Sequence, residues 1–190
     1  MEFTLYYRGP LKANAGPGEK HTIRCEFSSQ LQHLWNLKGA RRPGRLESRV
    51  FPSLEMPGLT RQVGALRFAA CVTEGNVAEI DLTLLRPELP GSIVSRGGDL
   101  DNRLKTLLDS LRMPNESSQL PRDLQSGKSD DVIFCVLQDD RFITRLSVNA
   151  FQFLLPGVPE TEVVAILNVR TRHVSEFEGK LGMLDGPGVA

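Results

Sequence analysis

Apolar and polar side chains alternate from Glu2 to Tyr7, with Phe3, Leu5 and Tyr7 on one side, which is the two-residue period of a strand. Gly9-Pro10 and Gly16-Pro17-Gly18 interrupt it. From Glu19 to Leu37 the period lengthens. Ile23, Phe27, Leu31, Leu34 and Trp35 fall at i, i+4, i+8, i+11 and i+12, one face of a helix, and Gly39 stands where helices commonly stop. Leu66 to Val72 and Ala78 to Leu85 read as two strands able to pair through a Thr73 to Val77 turn. The second places Ile80, Leu82 and Leu84 on one face and Glu79, Asp81 and Thr83 on the other. A second helix, Asn102 to Leu111, has Leu100, Leu104, Leu107, Leu108 and Leu111 as its apolar stripe and Asp101, Lys105, Asp109 and Arg112 on another side. Met113 to Asp131 shows no period and reads as unstructured. Apolar runs at Val132 to Leu137, Phe142 to Phe153 and Glu162 to Thr171 give three more strands.

This order predicts an α+β fold: a mixed, largely antiparallel sheet covered by two main helices. Residues 1–174 form one domain, with a loop at 38–49, a long loop at 113–131 and a tail at 175–190 too poor in apolar residues to add an element.

Composition narrows the class. The 190 residues contain no apolar run of the ~18 residues that a membrane helix needs, and the alternating N-terminus is unlike a secretion signal, so a cytoplasmic protein without a membrane partner is expected. Cys25, Cys71 and Cys135 are far apart among apolar neighbours and read as core-packed thiols, and the three histidines are scattered. The 23 basic and 23 acidic residues cancel, so the global charge does not favour nucleic acid. Local charge does: Lys38, Arg41, Arg42, Arg45 and Arg49 share twelve positions with one acid, in a Gly- and Pro-containing loop suited either to phosphate contact or to plain solvation. Arg103, Arg170 and Arg172 are further candidate phosphate contacts.

The most informative stretch is Gly97-Gly98-Asp99-Leu100-Asp101-Asn102-Arg103-Leu104-Lys105. In an extended lead-in Asp99 and Asp101 point the same way. Two carboxylates ~4 Å apart repel by roughly 4 kcal/mol at an effective dielectric near 20, a cost that a divalent cation removes. Magnesium suits such a pair because it takes oxygen ligands and keeps several waters. Lys105 stands one turn along from Asp101, where its ammonium can meet phosphate charge. The plainer alternative is a helix N-cap with an ordinary i, i+4 ion pair, which leaves Asp99 without a role. Asp139-Asp140, between two apolar strands, reads either as a hairpin turn or as carboxylates that join the first pair around one cation.

Asp99-Leu100-Asp101-Asn102 followed by Lys105 and Leu108-Asp109-Ser110-Leu111, then Asp139-Asp140 before a strand, resembles the RusA-like Holliday junction resolvase family over roughly residues 86–148. The resemblance implies a homodimeric endodeoxyribonuclease that nicks branched DNA with magnesium or manganese. It implies Asp99, Asp101 and Asp140 as metal ligands, Asp139 beside them, Lys105 as the catalytic lysine and Asn102 holding the turn or orienting a ligand. The competing expectation is a non-catalytic nucleic-acid-binding protein on the same scaffold, using the basic loop with Arg170 and Arg172.

Overall fold

In a computed structural model, which describes residues 1–39, 60–88, 99–127, 129 and 131–174, the chain folds as an α+β domain with seven strands and two α-helices among those residues. The basic residues Arg41, Arg42, Arg45 and Arg49, the Lys38 side chain and the 175–190 tail lie outside the description.

The strands are β1 (Glu2–Pro10), β2 (Thr60–Val63), β3 (Leu66–Val72), β4 (Asn76–Arg86), β5 (Val132–Leu137), β6 (Ile143–Gln152) and β7 (Glu162–His173), and the helices are α1 (Pro17–Gly39) and α2 (Leu100–Leu111). They form a four-stranded sheet in the order β1-β7-β4-β6 and a three-stranded sheet in the order β2-β3-β5. β7 runs antiparallel to both β1 and β4, whereas β4 with β6, and β3 with β5, are parallel.

The strand patterns translate directly into faces. Phe3, Leu5 and Tyr7 of β1, Ile80, Leu82 and Leu84 of β4, and Val163, Ala165, Leu167 and Val169 of β7 turn to one core. α1 closes that core through Ile23, Phe27 and Leu31, with Trp35 against Phe134 of β5 at 5.1 Å between ring centres. Its entry is fixed locally: Pro17 pre-sets the first-turn φ, and Glu19 accepts from the Gly16 N–H at 3.1 Å.

Several sequence expectations change, and the four-residue strand β2 has no counterpart among the strands expected. β3 and β4 do not pair with each other. The chain crosses from one sheet to the other at Thr73–Gly75, and β5 to β6 makes the same crossing beside it, with the Gln138 N–H donating to the Val72 carbonyl at 2.9 Å. Parallel neighbours in each sheet follow from two chains crossing side by side in one direction. The 113–131 stretch is not a structureless loop either. It makes two short 3₁₀ turns at Ser117–Gln119 and Arg122–Leu124. It buries Met113 and Leu120 over the back of the three-stranded sheet, against Val63, Leu66, Phe68, Ala70 and Cys135. Its aperiodic apolar residues form a lid, which no period reveals. Cys71 and Cys135 are buried as expected, but Cys25 is exposed on α1, with its sulfur 3.5 Å from His21 Nε2.

The 113–131 segment docks on the β2–β3 turn, where Gly64 has φ +55° and a methyl group would overlap the Leu124 carbonyl oxygen. The neighbouring Ala65 N–H donates to that carbonyl at 2.9 Å and the Ala65 carbonyl accepts from the Ser129 N–H at 2.7 Å. Gly64→Ala is therefore expected to cost more than about 1 kcal/mol in urea unfolding, because strain in the left-handed region adds to a displaced segment.

Candidate active site

α2 carries the first acid pair, and its placement is set by charges withdrawn from water. Its buried positions are Arg103, Thr106, Leu107, Ser110 and Leu111, while Leu100, Leu104 and Leu108 are only partly covered, so the buried stripe is rotated from the leucine stripe that the sequence suggests. Arg103 is fully buried and ion-paired with Glu88, just beyond the end of β4. It is therefore corrected from a DNA contact to an internal strut: a guanidinium in the core cannot reach a phosphate.

The other end of α2 is tied to α1. Buried Arg24 donates from Nε to the Arg112 carbonyl at 3.2 Å and from Nη2 to the Asp109 carbonyl at 2.9 Å, satisfying carbonyls that a helix end leaves open. Lys20 pairs with Asp109 at 2.7 Å, and Arg112 pairs with Asp109 at 3.2 Å. Partial burial raises the Asp109 carboxyl, but the Lys20 and Arg112 bonds prevail and hold it below the usual aspartate range.

With both ends fixed, Asp99, Asp101 and Lys105 face solvent. Asp99 occupies the N-cap position with extended φ and ψ, yet its side chain makes no capping hydrogen bond. Asp101 and Lys105 form no ion pair with each other, and among the described residues none of the three charged groups has a hydrogen-bond or ion-pair partner. Neither plain alternative, cap or i, i+4 pair, is realised.

The second acid pair is placed differently from the hairpin expectation. Asp139 and Asp140 sit in the crossing from β5 to β6, where Asp139 caps a 3₁₀ turn of Asp140–Phe142 by accepting from the Arg141 N–H at 3.0 Å. That bond holds the Asp139 carboxyl below its ordinary range, against slight burial, with help from the adjoining Asp140 carboxyl and the charges of Arg141 and Arg112. Leu137, the last residue of β5, bridges Arg112, which follows α2. The Asp139-Asp140 turn thus leaves from beside the C-terminal end of α2, whereas Asp99 and Asp101 open its N-terminal end, about 16 Å of helix away. Among the described residues no three His, Cys, Asp or Glu side chains stand close enough to hold an ion, so Asp140 is not gathered with Asp99 and Asp101 in this structure.

The remaining candidate contacts lie on the outer face of the four-stranded sheet and are already partnered. Glu79 receives Arg172 at 3.2 Å, Arg170 at 3.7 Å and Arg145 at 3.8 Å, while Arg170 also reaches Glu2 at 3.2 Å and Arg145 reaches Asp81 at 2.7 Å. Three acids answer three arginines, so this face carries little surplus charge for a phosphate backbone. Glu79 is the residue the sequence reading missed: its acid lies on the polar side of β4, in register with Arg145 and Arg170. No helix among the described residues is long and apolar enough to cross a membrane.

Comparison with protein-family models, curated proteins and solved structures returned no match.

The strut is open to test. Arg103→Met is expected to cost about 3 kcal/mol in urea unfolding, since it leaves Glu88 enclosed without its cation. Arg103→Met with Glu88→Leu should recover a large part of that loss; equal stability of wild type and single variant would remove the strut role.

Proposed function

We propose that the chain is a magnesium- or manganese-dependent endodeoxyribonuclease that nicks branched DNA, as its RusA-like resemblance implies. The observation that carries this reading is the first turn of α2, where two carboxylates and a lysine are held toward solvent with no partner among the described residues. The helix macrodipole favours acids in a first turn by about 0.3–1 kcal/mol each, and a divalent cation would give both charges a partner in addition.

Two oxygen donors with an open side match magnesium, which commonly takes one or two carboxylates and completes its shell with water and substrate phosphate. Asp99 and Asp101 meet that description, whereas the larger set with Asp139 and Asp140 is not assembled. Bound there, the ion would supply Lewis-acid assistance to phosphodiester hydrolysis. The chain's own contribution is positional. The helix begins at Leu100, not at Asn102 as the sequence suggests, so Asp99 alone is extended and Asp101 belongs to the first helical turn. The Arg103–Glu88 strut and the Arg24 clamp fix that helix, and Lys105 offers its ammonium one turn along from Asp101 to the charge of a phosphate. Asn102, partly buried in the same turn, is assigned to support the two acids.

The absence of a three-acid grouping among the described residues favours one second reading, a non-catalytic nucleic-acid-binding protein on this scaffold. Incubating the protein and magnesium with a four-way junction, a flap, plain duplex and single strand separates the two. The nuclease reading expects nicking of the branched substrates and a loss of ~10²-fold or more in Asp101→Asn with unchanged folding. Undiminished nicking by that variant would remove Asp101 from the mechanism, and metal-independent binding without nicking would establish the second reading.

A further inference from the structure

α1 presents one pair of side chains that neither the core nor the candidate active site uses. His21 and Cys25 are four residues apart, so they stand one above the other on the same side of the helix. Beside them Arg24 and Ser28 are buried and tie this part of α1 down. Arg24 donates to the Asp109 and Arg112 carbonyls, and the Ser28 hydroxyl accepts from the Phe134 N–H at 2.9 Å. The pair is therefore carried on a braced backbone, with Cys25 exposed and in no disulfide.

The Cys25 sulfur lies 3.5 Å from His21 Nε2. With zinc bonds of about 2.3 Å to sulfur and about 2.0–2.1 Å to nitrogen, donors at that separation subtend about 107° at the metal, close to the tetrahedral angle. At the same bond lengths a linear ion would need the donors about 4.3 Å apart, and a right-angled pair of positions about 3.1 Å. The spacing thus selects a tetrahedral ion. One sulfur and one nitrogen select a thiophilic ion over magnesium, which takes oxygen. The imidazole is also turned correctly: Nδ1 is buried, with no hydrogen-bond partner among the described residues, and Nε2 faces the thiol. Burial and then the Arg24 charge hold His21 below the ordinary histidine range, against the pull of Asp123, so at pH 7 it is neutral, the form that ligates.

We infer that Cys25 Sγ and His21 Nε2 form a two-ligand zinc site on the surface of α1. Zinc takes the place of the thiol proton: the S–H bond breaks, its electron pair forms the S–Zn bond, and the proton leaves to solvent. Among the described residues no third His, Cys, Asp or Glu side chain stands near enough to complete the shell, so the remaining positions fall to water. The site shares no residue with Asp99, Asp101 and Lys105 and is independent of the nuclease reading.

Cobalt, which accepts zinc's geometry and is coloured, provides the test. Titrated into the whole chain, it should give the visible bands of a tetrahedral ion together with a sulfur-to-cobalt charge-transfer band in the near ultraviolet, and zinc should bleach both. Cys25→Ser should abolish the charge-transfer band. His21→Gln should weaken cobalt about tenfold or more, since even a supporting group is worth about 10- to 100-fold at a metal site. Asp99→Asn with Asp101→Asn should leave the band in place. In the unaltered protein, zinc should slow alkylation of Cys25 by iodoacetamide about tenfold or more, and magnesium should not. A wild type without the charge-transfer band, a band that persists in Cys25→Ser or is lost with the two aspartates, undiminished affinity in His21→Gln, or alkylation that zinc does not slow would each overturn the assignment.

Discussion

Two arginines taken out of water hold the architecture in place. A buried guanidinium is costly unless its donors are answered, and here Nη2 of Arg103 and both Nε and Nη2 of Arg24 are answered by the parts of the chain whose positions matter. Arg103 joins α2 to the end of β4 through Glu88, and Arg24 closes the open carbonyls at the other end of α2 from within α1. Together they set the rotation of α2. Because Arg103, Thr106 and Ser110 face inward, Asp101 and Lys105 must face outward. The charged face is thus a consequence of packing at the opposite face, and weakening either strut would disturb the candidate site without touching it.

The second constraint is the pair of chain crossings between the sheets. β3 to β4 and β5 to β6 pass side by side, stitched by the Gln138 to Val72 bond and an Arg141–Glu74 pair at 3.7 Å. This makes β3 parallel to β5 and β4 parallel to β6, and among the described residues it leaves β6 at a margin of its sheet with β4 as its strand neighbour. It also fixes Asp139 and Asp140 at a sheet crossing, next to the end of α2 that binds α1. The two acid pairs are therefore tied to opposite ends of one helix.

Local period was enough to find both helices and six of the seven strands among the described residues, but not the four-residue β2 or how the elements join. β3 and β5 begin and end where the apolar runs do, and α1 buries Ile23, Phe27 and Leu31 as their spacing requires. The partnership of β3 with β5 instead of β4 was illegible, because a short polar turn between two strands has the same appearance whether it closes a hairpin or crosses between sheets. Arg103 was misread for a different reason. It lies three residues after Leu100 and four before Leu107, on the buried stripe itself, and its charge drew attention away from its position. The acids at Asp99 and Asp101 stood out in the sequence, and among the described residues neither makes a side-chain cap or an ion pair. Their separation from Asp140 depends on tertiary placement that no spacing encodes.

What remains is whether the first turn of α2 takes a divalent cation. The most direct measurement is paramagnetic broadening of backbone amide signals on adding manganese to the protein. The account predicts that signals from Asp99 to Lys105 broaden first, and that this selectivity vanishes when Asp99 and Asp101 are both changed to Asn. Broadening that is uniform, or centred elsewhere and unchanged in that variant, would contradict it.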